Sequence, residues 1–85
     1  MTSTYFALLA EFGSAHIPVL EASKKYFGVE SAAKAKQKAN AQDFPIPAFR
    51  GPTQKCQWLF DAADLALYLD NQRQAAREQW EKFRL

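Results

Sequence analysis

Glycine and proline cut this chain into unequal pieces. Gly13, Pro18, Gly28, Pro45, Pro47, Gly51 and Pro52 all fall within the first 52 residues, and none follows. Short elements are therefore expected first and one long helix last, because proline cannot continue a helix and glycine commonly ends one. Tyr5, Leu8, Leu9 and Phe12 recur at helical spacing, with Ser3 or Thr4 as caps and Gly13 as a stop; a strand over Tyr5 to Leu9 is the competing assignment. Pro18 suits a first helical turn, and Val19, Leu20, Ala22, Ser23, Tyr26 and Phe27 form the stripe of a helix that Gly28 ends. After Gly28-Val29-Glu30, Ser31 caps a second helix from about Ala32 to Ala41, with Ala32, Ala35 and Ala39 on its inner arc.

Pro45 and Pro47 exclude a continuing helix, so Ile46 to Arg50 reads as an extended edge segment and Gln57 to Phe60 as the returning strand. Gly51-Pro52-Thr53-Gln54-Lys55 forms the tip of the resulting hairpin. Asp61 caps the last helix, about 61–84, and Asp64 suits its dipole; Leu65, Leu69, Gln72, Ala76, Trp80 and Phe83 share one side. Trp80 and Phe83 either fold back on Tyr5 and Phe12 or form a surface for another subunit. The expected class is mainly α with a small β-hairpin, a winged helix-turn-helix.

Eighty-five residues make a single domain, 1–85, which buries only ~60 to 65% of its unfolded surface. With 48% apolar and 14% aromatic residues, such a core is expected to fold without metal or disulfide staples. Cys56 stands alone, so no internal disulfide is expected, and it reads as a small strand hydrophobe or a reactive thiol. No apolar run reaches the ~20 residues that span a bilayer, and Met1 to Tyr5 lacks the basic region of a signal peptide. A soluble cytoplasmic protein, with no membrane partner, is the expectation.

Enzymatic chemistry finds little footing. The one histidine, His16, has no serine or cysteine in an elbow-like context; it reads as a solvated loop residue or as a cap for a carbonyl. One His and one Cys cannot supply a tetrahedral metal shell, and three glycines form no phosphate-cradling pattern. No catalytic residue, metal or cofactor is expected. Asp61 and Asp64 have an ordinary reason to stand at the head of a helix, and Glu78 with Lys82 and Arg77 with Glu81 are i,i+4 pairs.

Charge supplies the functional expectation. Lys24, Lys25, Lys34, Lys36, Lys38, Arg50 and Lys55 face only Glu30 and Asp43 between positions 24 and 55, a local excess of five positive charges hidden within a net charge of +2. A basic patch on a helix pair with a basic turn behind it is what a duplex DNA backbone attracts. In a winged helix-turn-helix the second helix enters the major groove and the hairpin touches the adjacent backbone or minor groove. Opposite the alanines lies Gln37, flanked by Ala33, Lys34, Asn40 and Ala41, and Gln37 is the first choice for a base edge because glutamine can pair twice with adenine. Lys34, Lys36 and Lys38 suit phosphate or guanine, and Asn40 suits either role. Arg50, Thr53, Gln54 and Lys55 belong to the wing, although Arg50 can instead pair with Asp43. Trp58 and Phe49 read as core aromatics rather than intercalating wedges, and Tyr26 and Phe27 as core.

The runs Thr4 to Phe12, Ile17-Pro18, Lys25-Tyr26-Phe27-Gly28, Lys38-Ala39-Asn40-Ala41, Pro45 to Arg50, Gln54-Lys55, Trp58-Leu59 and Asp64-Leu65-Ala66, with an Arg/Glu/Trp helix at the end, together resemble the pyocin activator protein family, PrtN. The order of helix, Gly-Val turn, helix, Asp-Phe-Pro and hairpin is also similar to the excisionase and AlpA group with its MerR-like winged fold. The second helix departs from related regulators in carrying lysine where they often carry arginine. The resemblance implies a bacterial or prophage transcription activator that binds double-stranded DNA upstream of bacteriocin or phage genes. Such an activator is expected to be nucleoid-associated and to need a further contact, with RNA polymerase through the acidic last helix that carries Asp70, Glu78 and Glu81, or with a second copy through the same helix. Two alternatives stand beside it: an excisionase-like architectural factor that bends DNA, and a protein-binding adaptor or anti-repressor.

Overall fold

The computed structural model describes residues 3–51 and 56–84. Their order is α1 (Ser3–Phe12), β1 (His16–Pro18), α2 (Val19–Tyr26), α3 (Ala32–Asn40), β2 (Ala48–Phe49), β3 (Leu59–Asp61) and α4 (Ala62–Arg84). This is the expected mainly helical class with a small antiparallel sheet and a hairpin. The hairpin tip, with Thr53, Gln54 and Lys55, lies outside the described residues.

The punctuation acts as its chemistry requires. Gly13 and Gly28 adopt φ of 70° and 69°, a conformation that favours glycine. The Ser23 carbonyl accepts from both Phe27 and Val29, closing the end of α2. Ser31 caps α3 by accepting from the Lys34 amide at 3.3 Å, and Asp61 caps α4 by accepting from the Ala63 amide at 2.8 Å.

The sheet has three strands where a two-stranded hairpin was expected. His16-Ile17-Pro18 does not begin α2 but forms β1, and the order is β1-β3-β2, all antiparallel. Pro18 can occupy this place because β1 is an edge strand. The side-chain alternation of a strand then sorts the residues: Ile17 and Ala48 both pair with Phe60, and all three are buried. Phe49, next to Ala48, must point to the other face, where it is 39% exposed and meets the His16 ring edge-on at 5.4 Å. The expectation of Phe49 as core is thereby corrected, and His16 is a strand residue on the exposed face rather than a loop residue. Cys56 lies in a bend before β3 rather than in a strand.

Phe60 is fully buried and is the hub of the core. Its ring lies 5.7 Å from that of Phe27 and 5.2 Å from that of Phe44, both edge-on, and Phe27 also meets Tyr68 at 5.3 Å. Tyr26 is half-buried, its phenol donating to Glu11 at 3.3 Å.

Helices α1 and α4 pack antiparallel. Ala62, at the start of α4, donates its amide to Ala15 just past α1, while Thr4, near the start of α1, donates its hydroxyl to Asp70 at 2.6 Å. Thr4 is therefore an interhelical donor and not a cap. Beyond Asp70 every described residue of α4 is exposed, a projection of roughly 20 Å at 1.5 Å per residue. Trp80 and Phe83 do not fold back on Tyr5 and Phe12; they stand 54% and 82% exposed, because the projection runs past the start of α1.

Candidate nucleic-acid interface

Helix α3 owes its position to small residues. Ala35 and Ala39 are buried, as are Ala22 and Ser23 on α2 against which α3 packs. Side chains this short let the two helices approach closely while each alanine methyl contributes at most ~1 kcal/mol. Ala32 does not join them. It is exposed beside an open depression bounded by Leu20, Val29 and Glu30, so the inner arc consists of Ala35 and Ala39.

A clamp ties the end of α3 to the hairpin. Gln42 adopts φ of 53°, and its side-chain amide donates to the Ala48 carbonyl at 2.8 Å while its oxygen accepts from the Ala48 amide at 3.1 Å. The side chain thus satisfies both backbone groups of a β2 residue and fixes the hairpin against α3. No feature of the sequence singles out Gln42 for this role.

Between α3 and the hairpin opens a cleft of about 480 Å³. Lys36, Gln37 and Asn40 form one wall, Arg50 and Trp58 another, and Val19 and Leu20 supply an apolar surface. Four of the expected contact residues, Lys36, Gln37, Asn40 and Arg50, are brought together here. Ala33 and Lys34 lie exposed on the same helix but outside the cleft.

Lys38 behaves differently from its neighbours. It is half-buried, pairs with Asp43 at 3.3 Å and lies 5.6 Å from the centre of the Phe44 ring, turned toward the protein rather than outward. Asp43 is thereby occupied, and Arg50 takes another partner: its guanidinium carbon lies 4.6 Å from the centre of the Trp58 ring. Trp58, expected as a core aromatic rather than a wedge, packs partly against the core and also carries this contact. Its role is legible once the hairpin register is known, since Phe49 pairs with Leu59 and one further step sets Arg50 opposite Trp58.

The balance of partners defines the electrostatics. Lys25 pairs with Glu11, Lys38 with Asp43 and Arg77 with Glu81. Among the described residues no carboxylate pairs with Lys24, Lys34, Lys36 or Arg50, and Gln37, Asn40 and Gln57 make no hydrogen bond through their side chains. Of these, Lys36, Arg50, Gln37, Asn40 and Gln57 line the same cleft, which thus offers unneutralised cations and unspent amide donors and acceptors together, as phosphates and base edges require. Among the described residues no cluster of His, Cys, Asp or Glu is placed to hold a metal ion, and no helix is long and apolar enough to cross a membrane.

The family model of the pyocin activator protein PrtN matches residues 4–76, which takes in every element from α1 into the projecting part of α4. The chain belongs to the PrtN family. Membership points to a transcriptional activator of pyocin genes. The matched segment contains α3, the hairpin and the whole cleft, whereas Trp80 and Phe83 lie beyond it. No curated protein and no solved structure matches the chain.

Proposed function

We propose that this chain is a cytoplasmic, nucleoid-associated activator, and not an enzyme, that binds double-stranded DNA in a sequence-specific way as a winged helix-turn-helix. Helix α3 lies in the major groove, with Gln37 at a base edge, Asn40 beside it and Lys34 and Lys36 on phosphates; Arg50 and the hairpin tip rest on the flanking backbone. The observation that carries this reading is the α3 surface: a helix held from behind by Ala35 and Ala39 that presents cations and amides without partners in the protein. Lys38, engaged with Asp43, is assigned a lesser part. Transcription activation needs a further contact, and the projecting half of α4, with its exposed Trp80 and Phe83, is the surface available for RNA polymerase or a second copy of the chain.

Selection of bound duplexes from a random library, repeated with Gln37→Ala, tests the base-reading role. The expected result is a motif that loses preference at one base position, and a variant that selects the wild-type motif with unaltered strength removes α3 as the reading helix. Five to seven phosphate contacts give a log-log salt slope of about −5 to −6. A protein-binding adaptor would show no such slope, and a DNA-bending excision factor would leave a pyocin promoter reporter unchanged.

A further inference from the structure

The cleft between α3 and the hairpin is too small for a duplex and has the dimensions of a site for one small-molecule-sized group. Its chemistry is mixed: cationic at Lys36 and Arg50, apolar at Leu20 and Trp58. A sugar-phosphate segment has the same mixture, an anionic phosphodiester flanked by largely apolar sugar faces. Arg50 is the better defined of the two cations. Its guanidinium carbon lies 4.6 Å from the centre of the Trp58 ring, and no carboxylate among the described residues pairs with it, Asp43 being held by Lys38.

A guanidinium held over an aromatic face by a cation–π contact spends none of its N–H donors on a hydrogen-bond acceptor there, so they are available to bind a phosphate through two hydrogen bonds. An indole that holds the side chain in advance also removes part of the ordering cost of that contact.

We infer that the cleft takes one strand of the DNA backbone, with a phosphodiester between Lys36 and Arg50, and that Trp58 is the positioning residue that fixes Arg50 for it. This rests on the DNA-binding reading above but adds to it a defined occupant of the cleft and a role for an aromatic residue that never touches a base. Trp58 acts through Arg50 and is not itself a reading residue.

The test measures duplex affinity against salt for the wild type, Arg50→Ala, Trp58→Leu, Trp58→Phe and the Arg50→Ala/Trp58→Leu double variant, each first checked for its far-UV circular dichroism. Arg50→Ala should lower the salt slope by about one and weaken binding about tenfold. Trp58→Leu should do the same, the double variant should be no worse than either single one, and Trp58→Phe, which keeps a ring face, should stay within about twofold of wild type. Because Trp58 is half-buried and its leucine variant can lose the fold, two measurements do not depend on it. In a Trp80→Phe background Trp58 is the one remaining indole, and its emission should change when duplex DNA is added. Scanning single methylphosphonates along each strand should find one position where neutralisation weakens the wild type but not Arg50→Ala. Unchanged Trp58 emission, additive losses in the double variant, or no such phosphate overturns this inference while leaving DNA binding intact. A wild-type chain without salt-sensitive duplex binding overturns the inference and the reading beneath it together.

Discussion

On α3, Ala35 and Ala39 are buried while Lys34, Lys36 and Gln37 stand in solvent without side-chain partners in the protein; on α4 beyond Asp70 every described residue is exposed, and two i,i+4 polar pairs run along the helix. Arg77 meets Glu81 at 3.5 Å and Gln74 donates to Glu78 at 3.2 Å, so Glu78 is served by Gln74 rather than by the expected Lys82. The projecting half of α4 keeps its helical form through local pairs and good helix formers. Its large apolar side chains find no cover: Phe83 is 82% exposed, and Trp80, 54% exposed, meets only the Arg84 guanidinium, whose carbon lies 4.6 Å from the ring centre. Short α3 has no such self-sufficiency: its nine residues bury two methyl groups and depend on α2, the Gln42 clamp and the core beneath. A helix positioned by its neighbours is free to leave its polar face unpaired, and that is the face the family-matched segment carries.

That contrast can be broken most severely at the hub. Phe60→Ala should lower stability by ~3–5 kcal/mol, read by denaturant unfolding, because it empties the site where Phe27, Phe44, Ile17 and Ala48 converge. Overpacking the back of α3 comes next. Ala39→Leu should cost ~1–3 kcal/mol and displace the helix, with DNA affinity falling alongside stability; an unchanged melting curve would mean that α3 is not fixed by close approach to its neighbours. Gln37→Ala should leave stability within about 0.5 kcal/mol while reducing discrimination at one base position by ~1–3 kcal/mol in a competition assay. Lys34→Ala should weaken binding to all duplexes alike and lower the salt slope by about one. The smallest stability effect belongs to the projection: Phe83→Ala should shift unfolding by less than about 0.5 kcal/mol, and analytical ultracentrifugation of the same variant sharpens the contrast by reporting whether that side chain serves self-association.

The punctuating residues and caps were legible from local rules. Gly13, Gly28, Ser31 and Asp61 each end or begin an element as expected, and the long last helix was foreseen almost to its bounds. The outward residues of α3 followed from helical geometry applied to Ala35 and Ala39, and Gln37 is indeed exposed opposite them. Ala32 failed the same rule because it sits at the helix start, where an open depression rather than a packed side chain separates it from Leu20 and Lys24 of α2. The errors elsewhere share a cause. β1 was missed because three residues carry no periodicity of their own and become a strand only by pairing with β3, and Phe49 was misplaced because its facing depends on that register. Lys38 and Arg50 could not be assigned their partners until the end of α3 and the hairpin were set side by side.

Sequence alone determined where the helices start and stop to within a residue or two, which face of α3 is polar and where the positive charge gathers, since these depend on residues a few positions apart. Tertiary structure alone decided which cations remain without a counter-charge, that Gln42 locks the hairpin to α3, and that Arg50 rests on Trp58 at the edge of a cleft. Those outcomes are competitions among side chains from different elements, and the winner is settled by distances that exist only after the chain has closed around Phe60.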